Sequence, residues 1–340
     1  MNRLLLACLV CVLTGSAYAH HAFTTHYNPR ETMQLQGVIT EFTFVSPHAS
    51  LALDVESEDG SIKSWEVETT SPAHFRRMGV DQNTFSVGDE ITLIAWPNRN
   101  PAQQLIYGLG FITEQGERYG QMPDVTVDSY STQGASGVEK VAGRWVAPLP
   151  DNSSMQKLPL NAAGIAARDS YDPKNSPANN CEPTSIPSAL YAPFLTDIQI
   201  GENEVVFHHE VYGTVRTIPL NAPPAQVEAT GWFGVASARI VDDVLVVDST
   251  DFLPSGWGTT IATHALADHT DIPSSPQKRL IERYSTSEDG LTLNLEYTLS
   301  DPGYLTEDYS ATIKWNRVAD DEPIYDYNCE MGSASRFSGD

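Results

Sequence analysis

Residues 34–45 read QLQGVITEFTFV, a stretch in which apolar and polar side chains largely alternate. Such alternation is typical of a β-strand that has one face in a core and the other in solvent. Similar patterns follow over residues 51–55 and 62–68, separated by a turn at residues 58–60 (EDG). The stretch therefore predicts that the folded part of the chain begins with antiparallel strands.

A short helix and two further strands are predicted next. Ser71 has the side chain of an N-cap residue, Pro72 suits the first helical position, and Gly79 suits the end of the helix. Residues 90–96 (EITLIAW) and 104–112 then read as strands. Three strands, a short helix and two strands follow the order of an OB-type barrel.

The second half of the chain is also predicted to be rich in strands. Turn signals separate many short strands, which indicates an antiparallel β-sandwich or an open barrel. The predicted strands cover residues 196–200, 205–210, 213–220, 237–241, 244–249, 279–285, 291–299, 309–318 and 324–328. The whole chain is thus expected to be mainly β, with a signal peptide (1–19), an OB-like barrel (20–119), a linker (120–150) and a β-rich domain (151–340).

The composition excludes several classes of protein. The 340 residues contain 20 Lys+Arg against 44 Asp+Glu, for a formal net charge of −24, and 41% hydrophobic residues. The acid excess argues against a nucleic-acid-binding protein, which needs a positive face. No apolar run reaches the roughly 20 residues that a membrane-spanning helix needs. We therefore expect neither nucleic acid as a partner nor an integral membrane protein.

The first 19 residues, MNRLLLACLVCVLTGSAYA, have the pattern of a signal peptide. A basic residue precedes a short apolar run, and Ala-Tyr-Ala provides a small-x-small cleavage pattern. We expect export and a periplasmic or secreted location. Cleavage would leave Cys181 and Cys329, which in an oxidising compartment are predicted to form one disulfide. The alternative, two soft metal ligands, lacks a nearby CxxC pair.

Cleavage after Ala19 would also create a candidate metal site. The mature chain would begin His20-His21, and an N-terminal histidine can chelate one metal ion with its α-amine and its imidazole. A further imidazole would complete a nitrogen site that favours Cu(II). His21, His26 and His48 are candidates for this third ligand, and we assign the site to His20, His21 and His48. In the alternative interpretation, these histidines are solvated surface residues, with His48 hydrogen-bonded to backbone in its loop.

Several motifs in the first half resemble a widespread group of exported bacterial proteins of unknown function. The resemblance covers about residues 20–115 and includes a mature N-terminal His-His and an Asn-Pro-His turn, which is Ser-Pro-His here. It implies that His20, His21 and His48 belong together. The matching motifs are His20-His21-Ala22-Phe23, Gly37-Val38-Ile39, Ser46-Pro47-His48-Ala49, Trp65-Glu66-Val67-Glu68, Ser71-Pro72, Arg76-Arg77 and Val87-Gly88-Asp89.

The second half resembles an uncharacterised β-rich domain of similar exported proteins. This chain departs from that pattern at Ser274-Ser275, where a His-Ser pair is usual, and at residues 238–243, where a Gly-Arg-Trp-Glu-Gly-Asp motif is usual. The matching motifs are Cys181-Glu182-Pro183, residues 215–220 (VRTIPL), residues 243–248 (DVLVVD), Glu282-Arg283-Tyr284, Asp301-Pro302-Gly303 and Tyr327-Asn328-Cys329.

These observations favour a periplasmic copper-binding protein and leave two alternatives open. One is a carrier of a small apolar ligand inside the second β-domain. The other is an enzyme with copper-dependent oxidative chemistry at the N-terminal site. Motifs of serine hydrolases, zinc proteases and nucleotide-binding loops are missing from the sequence, so a binding protein is favoured over an enzyme.

Overall fold

Two β-structures follow one another along the chain. The structure is a computed structural model and describes residues 26–120, 137–148, 158–171, 177–223, 232–253, 258–259 and 271–336. The predicted signal peptide, together with His20 and His21, lies outside these residues. None of the described helices is long and apolar enough to cross a membrane.

The first β-structure is a closed barrel. Five strands close because β3 and β5 pair in parallel, in addition to the antiparallel neighbours in the order β3-β2-β1-β4-β5-β6. The helix α1 (Pro72–Arg77) lies between β3 and β4, as in an OB-type fold, so the predicted small barrel is confirmed. The strands are β1 (Met33–Thr43), β2 (Ser50–Glu56), β3 (Ile62–Glu68), β4 (Glu90–Trp96), β5 (Leu105–Thr113) and β6 (Arg118–Gly120).

Local sequence explains how these elements begin and end. The Ser71 side chain accepts a hydrogen bond from the backbone N–H of His74 at 3.3 Å, which caps α1. Gly79 follows the helix with φ of +80°, a conformation that glycine adopts without a steric penalty. In β1, a Cβ at Gly37 would lie 2.4 Å from the Asp54 carbonyl oxygen, so the close approach of β1 and β2 requires glycine.

The second β-structure is a single antiparallel sheet of nine strands in the order β10-β9-β8-β7-β15-β14-β13-β12-β11. Its two edges approach each other at a bridge between Leu220 and Ala238, so the sheet curls into an open barrel. The strands are β7 (Gly143–Val146), β8 (Leu195–Ile200), β9 (Glu204–His209), β10 (Thr214–Pro219), β11 (Val235–Val241), β12 (Val244–Thr250), β13 (Arg279–Thr286), β14 (Thr292–Ser300) and β15 (Tyr309–Arg317).

Helices in this second part are short. Besides α2 (Ala162–Asp169) and α3 (Met331–Arg336), four described segments form 3-10 helices: Gly137–Val141, Pro177–Asn180, Ser188–Tyr191 and Val211–Gly213. Strand β7 falls within the stretch that the sequence predicts as a linker. The predicted strand over residues 324–328 does not form a ladder. The backbone N–H of Tyr325 donates to the Glu210 carboxylate at 2.9 Å.

The predicted disulfide is present and connects distant parts of the chain. Cys181 and Cys329 are 148 residues apart in sequence, and their sulfur atoms are bonded. Cys329 also forms an isolated parallel bridge with Ser46 of the first barrel. The disulfide therefore lies next to the loop that contains His48.

Candidate functional site

His48 lies in the loop between β1 and β2, at one rim of the first barrel. Its side chain is 41% exposed. The ring Nδ1 lies 3.1 Å from the backbone carbonyl oxygen of Thr69. Because a carbonyl oxygen can only accept, Nδ1 carries the proton and the lone pair of the neutral ring is on Nε2. The local backbone thus selects the tautomer that binds a metal ion through Nε2.

A buried carboxylate supports the same imidazole. Glu68, the last residue of β3, is 3% exposed, and its Oε1 lies 3.5 Å from the Nδ1 of His48. Burial raises the pKa of Glu68, while the proximity of His48 and the Tyr27 hydroxyl act in the opposite direction. Metal-bound histidines commonly donate their second ring N–H to a carboxylate or a backbone carbonyl, and both groups are present here.

Tyr27 attaches the start of the described chain to this group. Its side chain is fully buried, and its hydroxyl donates to Oε2 of Glu68 at 2.6 Å. Burial is the main cause that raises the pKa of Tyr27, so the hydroxyl stays protonated as a donor. The Tyr27 ring packs against Tyr107 with the ring centroids 5.7 Å apart. Glu68 therefore connects Tyr27 to His48.

Backbone hydrogen bonds hold residues 26–28, on either side of Tyr27, on the first barrel. The N–H of Asn28 donates to the carbonyl of Pro97 at 2.9 Å, and the N–H of Arg99 donates to the carbonyl of His26 at 2.7 Å. Burial lowers the pKa of His26, which favours its neutral ring. Residues 26–28 are thus fastened next to the end of β4.

Of the three predicted metal ligands, only His48 falls within the described residues. In that part of the chain, no group of three or more His, Cys, Asp or Glu side chains is arranged to hold a metal ion. Sequence reasoning did not identify Tyr27 or Glu68 as members of the site. One signal pointed to Glu68, since it ends the Trp65-Glu66-Val67-Glu68 motif of the resembling group.

The interior of the second barrel is filled by side chains of the described strands. Arg216 of β10 donates to both carboxylate oxygens of Glu282 of β13, at 3.1 and 2.9 Å, and both residues are buried. The Tyr284 hydroxyl donates to the same carboxylate. This polar group lies among the buried side chains of the sheet, and no observation in the described residues favours the carrier hypothesis.

His209 also points into this interior. Its Nδ1 lies 3.0 Å from Oγ1 of Thr196, and its ring stacks with Phe207 and Phe233. The Nε2 atom is buried and has no hydrogen-bond partner among the residues that the structure describes. Burial lowers the pKa of His209 to about 3, so the ring is neutral at physiological pH.

A buried lysine forms a second polar group in this domain. The Nζ of Lys278 lies 3.2 Å from Oγ of Ser185, 3.1 Å from Oγ1 of Thr259 and 3.0 Å from Oγ of Ser274. The contact between Ser274 and Lys278 has the spacing of a nucleophile and a base. All four side chains are at most 2% exposed, so the group is buried in the described structure.

One comparison with known proteins gives a match. Residues 7–106 match the model of a family of unknown function, DUF6152. No curated protein and no protein of solved structure matches the chain. The matched stretch contains the three predicted ligands His20, His21 and His48, and it agrees with the resemblance of this part of the chain to an uncharacterised group.

Proposed function

We propose that this chain is an exported protein that binds copper(II) through His20, His21 and His48. The observation that carries the proposal is the contact of the His48 Nδ1 with the Thr69 carbonyl, with the Glu68 carboxylate nearby. These contacts leave Nε2 as the ring atom with the lone pair, and they limit the orientations of the ring. A ligand held in this way loses little conformational entropy when it binds a metal ion.

Chain length supports the assignment of the other two ligands. Tyr27 is fixed on Glu68, and six peptide steps lead from Tyr27 back to His21. Six residues span at most about 20 Å when fully extended. Because Glu68 also contacts His48, a chain that turns back from Tyr27 is long enough for His20 and His21 to meet the His48 ring.

The donor set favours copper(II). The α-amine and imidazole of His20 together with the imidazoles of His21 and His48 form a nitrogen site, and Cu(II) prefers such ligands in a near-square arrangement. Carboxylate-preferring ions such as Ca²⁺ and Mg²⁺ are not suited to this set. The proposal therefore includes export and signal cleavage after Ala19, since cleavage at that position creates the amine ligand.

Calorimetric titration with CuSO4 tests the proposal on protein that was exported and whose N-terminus was sequenced. We expect one tight site per chain. His48→Ala should weaken binding at least tenfold, whereas His208→Ala, a change in the second barrel, should not. One additional residue ahead of His20 should also weaken binding, because the amine would no longer chelate with the first imidazole. Equal affinity of wild type and His48→Ala would refute the assignment.

A further inference from the structure

The C-terminal segment of the chain lies along the loop that contains His48. The backbone N–H of Glu330 donates to the carbonyl of Ser46 at 2.9 Å. The hydroxyl of Ser333 donates to the carbonyl oxygen of His48 itself, also at 2.9 Å. Ser333 is 8% exposed, and this hydrogen bond is partly buried. The segment thus contacts the loop at His48 and two residues before it.

The same segment is anchored on both sides of Ser333. At its start, Cys329 is bonded to Cys181 of the second domain. At its end, Arg336 donates to Glu66 at 2.6 Å and to Glu41 at 3.1 Å on the first barrel. Helix α3 connects these two anchors. Consequently, Ser333 has little freedom to leave the His48 carbonyl.

We propose that the segment 329–336 positions His48 for metal binding, with Ser333 and the Cys181–Cys329 disulfide as positioning groups. This inference rests on the function proposed above. The Thr69 carbonyl orients the ring, and the Ser333 hydroxyl fixes the backbone of the same residue, so the imidazole is held at both ends. A metal ligand whose supporting contacts are removed loses preorganisation, and the affinity of the site falls.

The first test compares Ser333→Ala with Ser333→Thr, which keeps a hydroxyl. Ser170→Ala is the matched control, because its hydroxyl also donates to a backbone carbonyl, that of Ala167, at 2.9 Å. We expect Ser333→Ala to weaken Cu(II) binding about threefold to tenfold in calorimetric titration. We expect Ser333→Thr to restore most of the affinity and Ser170→Ala to have no effect. The EPR spectrum of bound Cu(II) should change only in Ser333→Ala.

The second test addresses the anchor formed by the Cys181–Cys329 disulfide. The double variant Cys181→Ser/Cys329→Ser should weaken Cu(II) binding in the same direction, while thermal unfolding shows whether the chain is still folded at the titration temperature. Wild-type affinity and EPR spectrum in Ser333→Ala would overturn the positioning role, even if copper binds at His48.

A metal-independent measurement separates the two proposals. The ¹⁵N chemical shifts of the His48 ring report its tautomer and its hydrogen bonding in the metal-free protein. If wild type binds no copper but Ser333→Ala changes these shifts, the proposed function fails, and the segment still orients the His48 ring. If the shifts and the affinity are both unchanged in Ser333→Ala, the positioning role fails.

Discussion

The guanidinium group of Arg77 in the first barrel donates to both carboxylate oxygens of Glu210 in the second, at 3.0 and 2.6 Å. The Glu210 side chain is fully buried and that of Arg77 is 17% exposed. A second carboxylate, that of Glu322, accepts from Nε of Arg77 at 3.0 Å. A buried carboxylate without its cation is costly, so this contact couples the packing of the two barrels.

Arg77→Ala should therefore destabilise the protein by about 3–5 kcal/mol, because it leaves the buried Glu210 uncompensated. Urea unfolding followed by tryptophan fluorescence measures the change. Arg279→Ala is the control, since Arg279 pairs with Asp248 at 2.6 Å but is 50% exposed. Exposed pairs contribute about 0–1 kcal/mol. Equal losses of stability in the two variants would show that the contact between the barrels contributes no more to the free energy of unfolding than an exposed ion pair.

Sequence patterns predicted the elements of the fold well where a local signal existed. Alternation identified β1 to β5, and Ser71, Pro72 and Gly79 marked the ends of α1. Strand β7 has only four residues, Gly143–Val146, too few for alternation to be visible. Its fully buried Trp145 enters the ladder through pairs with distant strands, which no local pattern reveals.

Of the three contacting residues His48, Glu68 and Tyr27, the sequence indicates only His48, for a related reason. His48 was identified because histidine carries recognisable chemistry. Its partners Tyr27 and Glu68 come from two other segments, 41 residues apart from each other in sequence. A glutamate at the end of a strand reads as a solvated residue, and only closure of the barrel places it next to the tyrosine and the histidine.

The hydrogen bond between Tyr27 and Glu68 provides a second stability prediction. Tyr27→Phe removes the donor at 2.6 Å from a buried carboxylate oxygen. A buried acceptor that loses its donor costs about 1–3 kcal/mol, and we expect a loss of this size in urea unfolding. Tyr119→Phe is matched, because Tyr119 donates to Glu117 at 3.2 Å on the surface, and it should cost less than about 0.5 kcal/mol. A loss below that of Tyr119→Phe would contradict the role assigned to Tyr27.

For the buried ion pair of Arg216 and Glu282, we expect the losses of stability in the two single variants not to add up in the double variant. Arg216→Met should destabilise the second barrel by about 3–5 kcal/mol, because Glu282 would remain buried without its cation. Arg216→Met/Glu282→Met removes both charges, so it should recover most of that loss. A double-mutant cycle by urea unfolding measures the coupling. Additive losses in the two single variants and the double variant would show that the pair is not coupled.

Because Lys278 is buried, we expect the free energy of unfolding to rise with increasing pH. Burial among hydroxyl groups lowers its pKa to about 7, although the carboxylates of Asp271 and Asp301 favour the charged form. In the unfolded chain, the pKa of a lysine is about 10.4. Between these two values the unfolded state binds more protons than the folded state, so the free energy of unfolding increases with pH by up to about 1.4 kcal/mol per pH unit.

Lys278→Met removes this titration, so the variant should gain less stability than wild type between pH 7 and pH 9. Urea unfolding at pH 7, 8 and 9 gives the two slopes. Lys314→Met is the control: Lys314 is exposed on β15, so this variant should follow wild type. Coinciding slopes for wild type and Lys278→Met would mean that the buried amine keeps its proton throughout this range. In that case the two carboxylates, and not burial, would determine its charge.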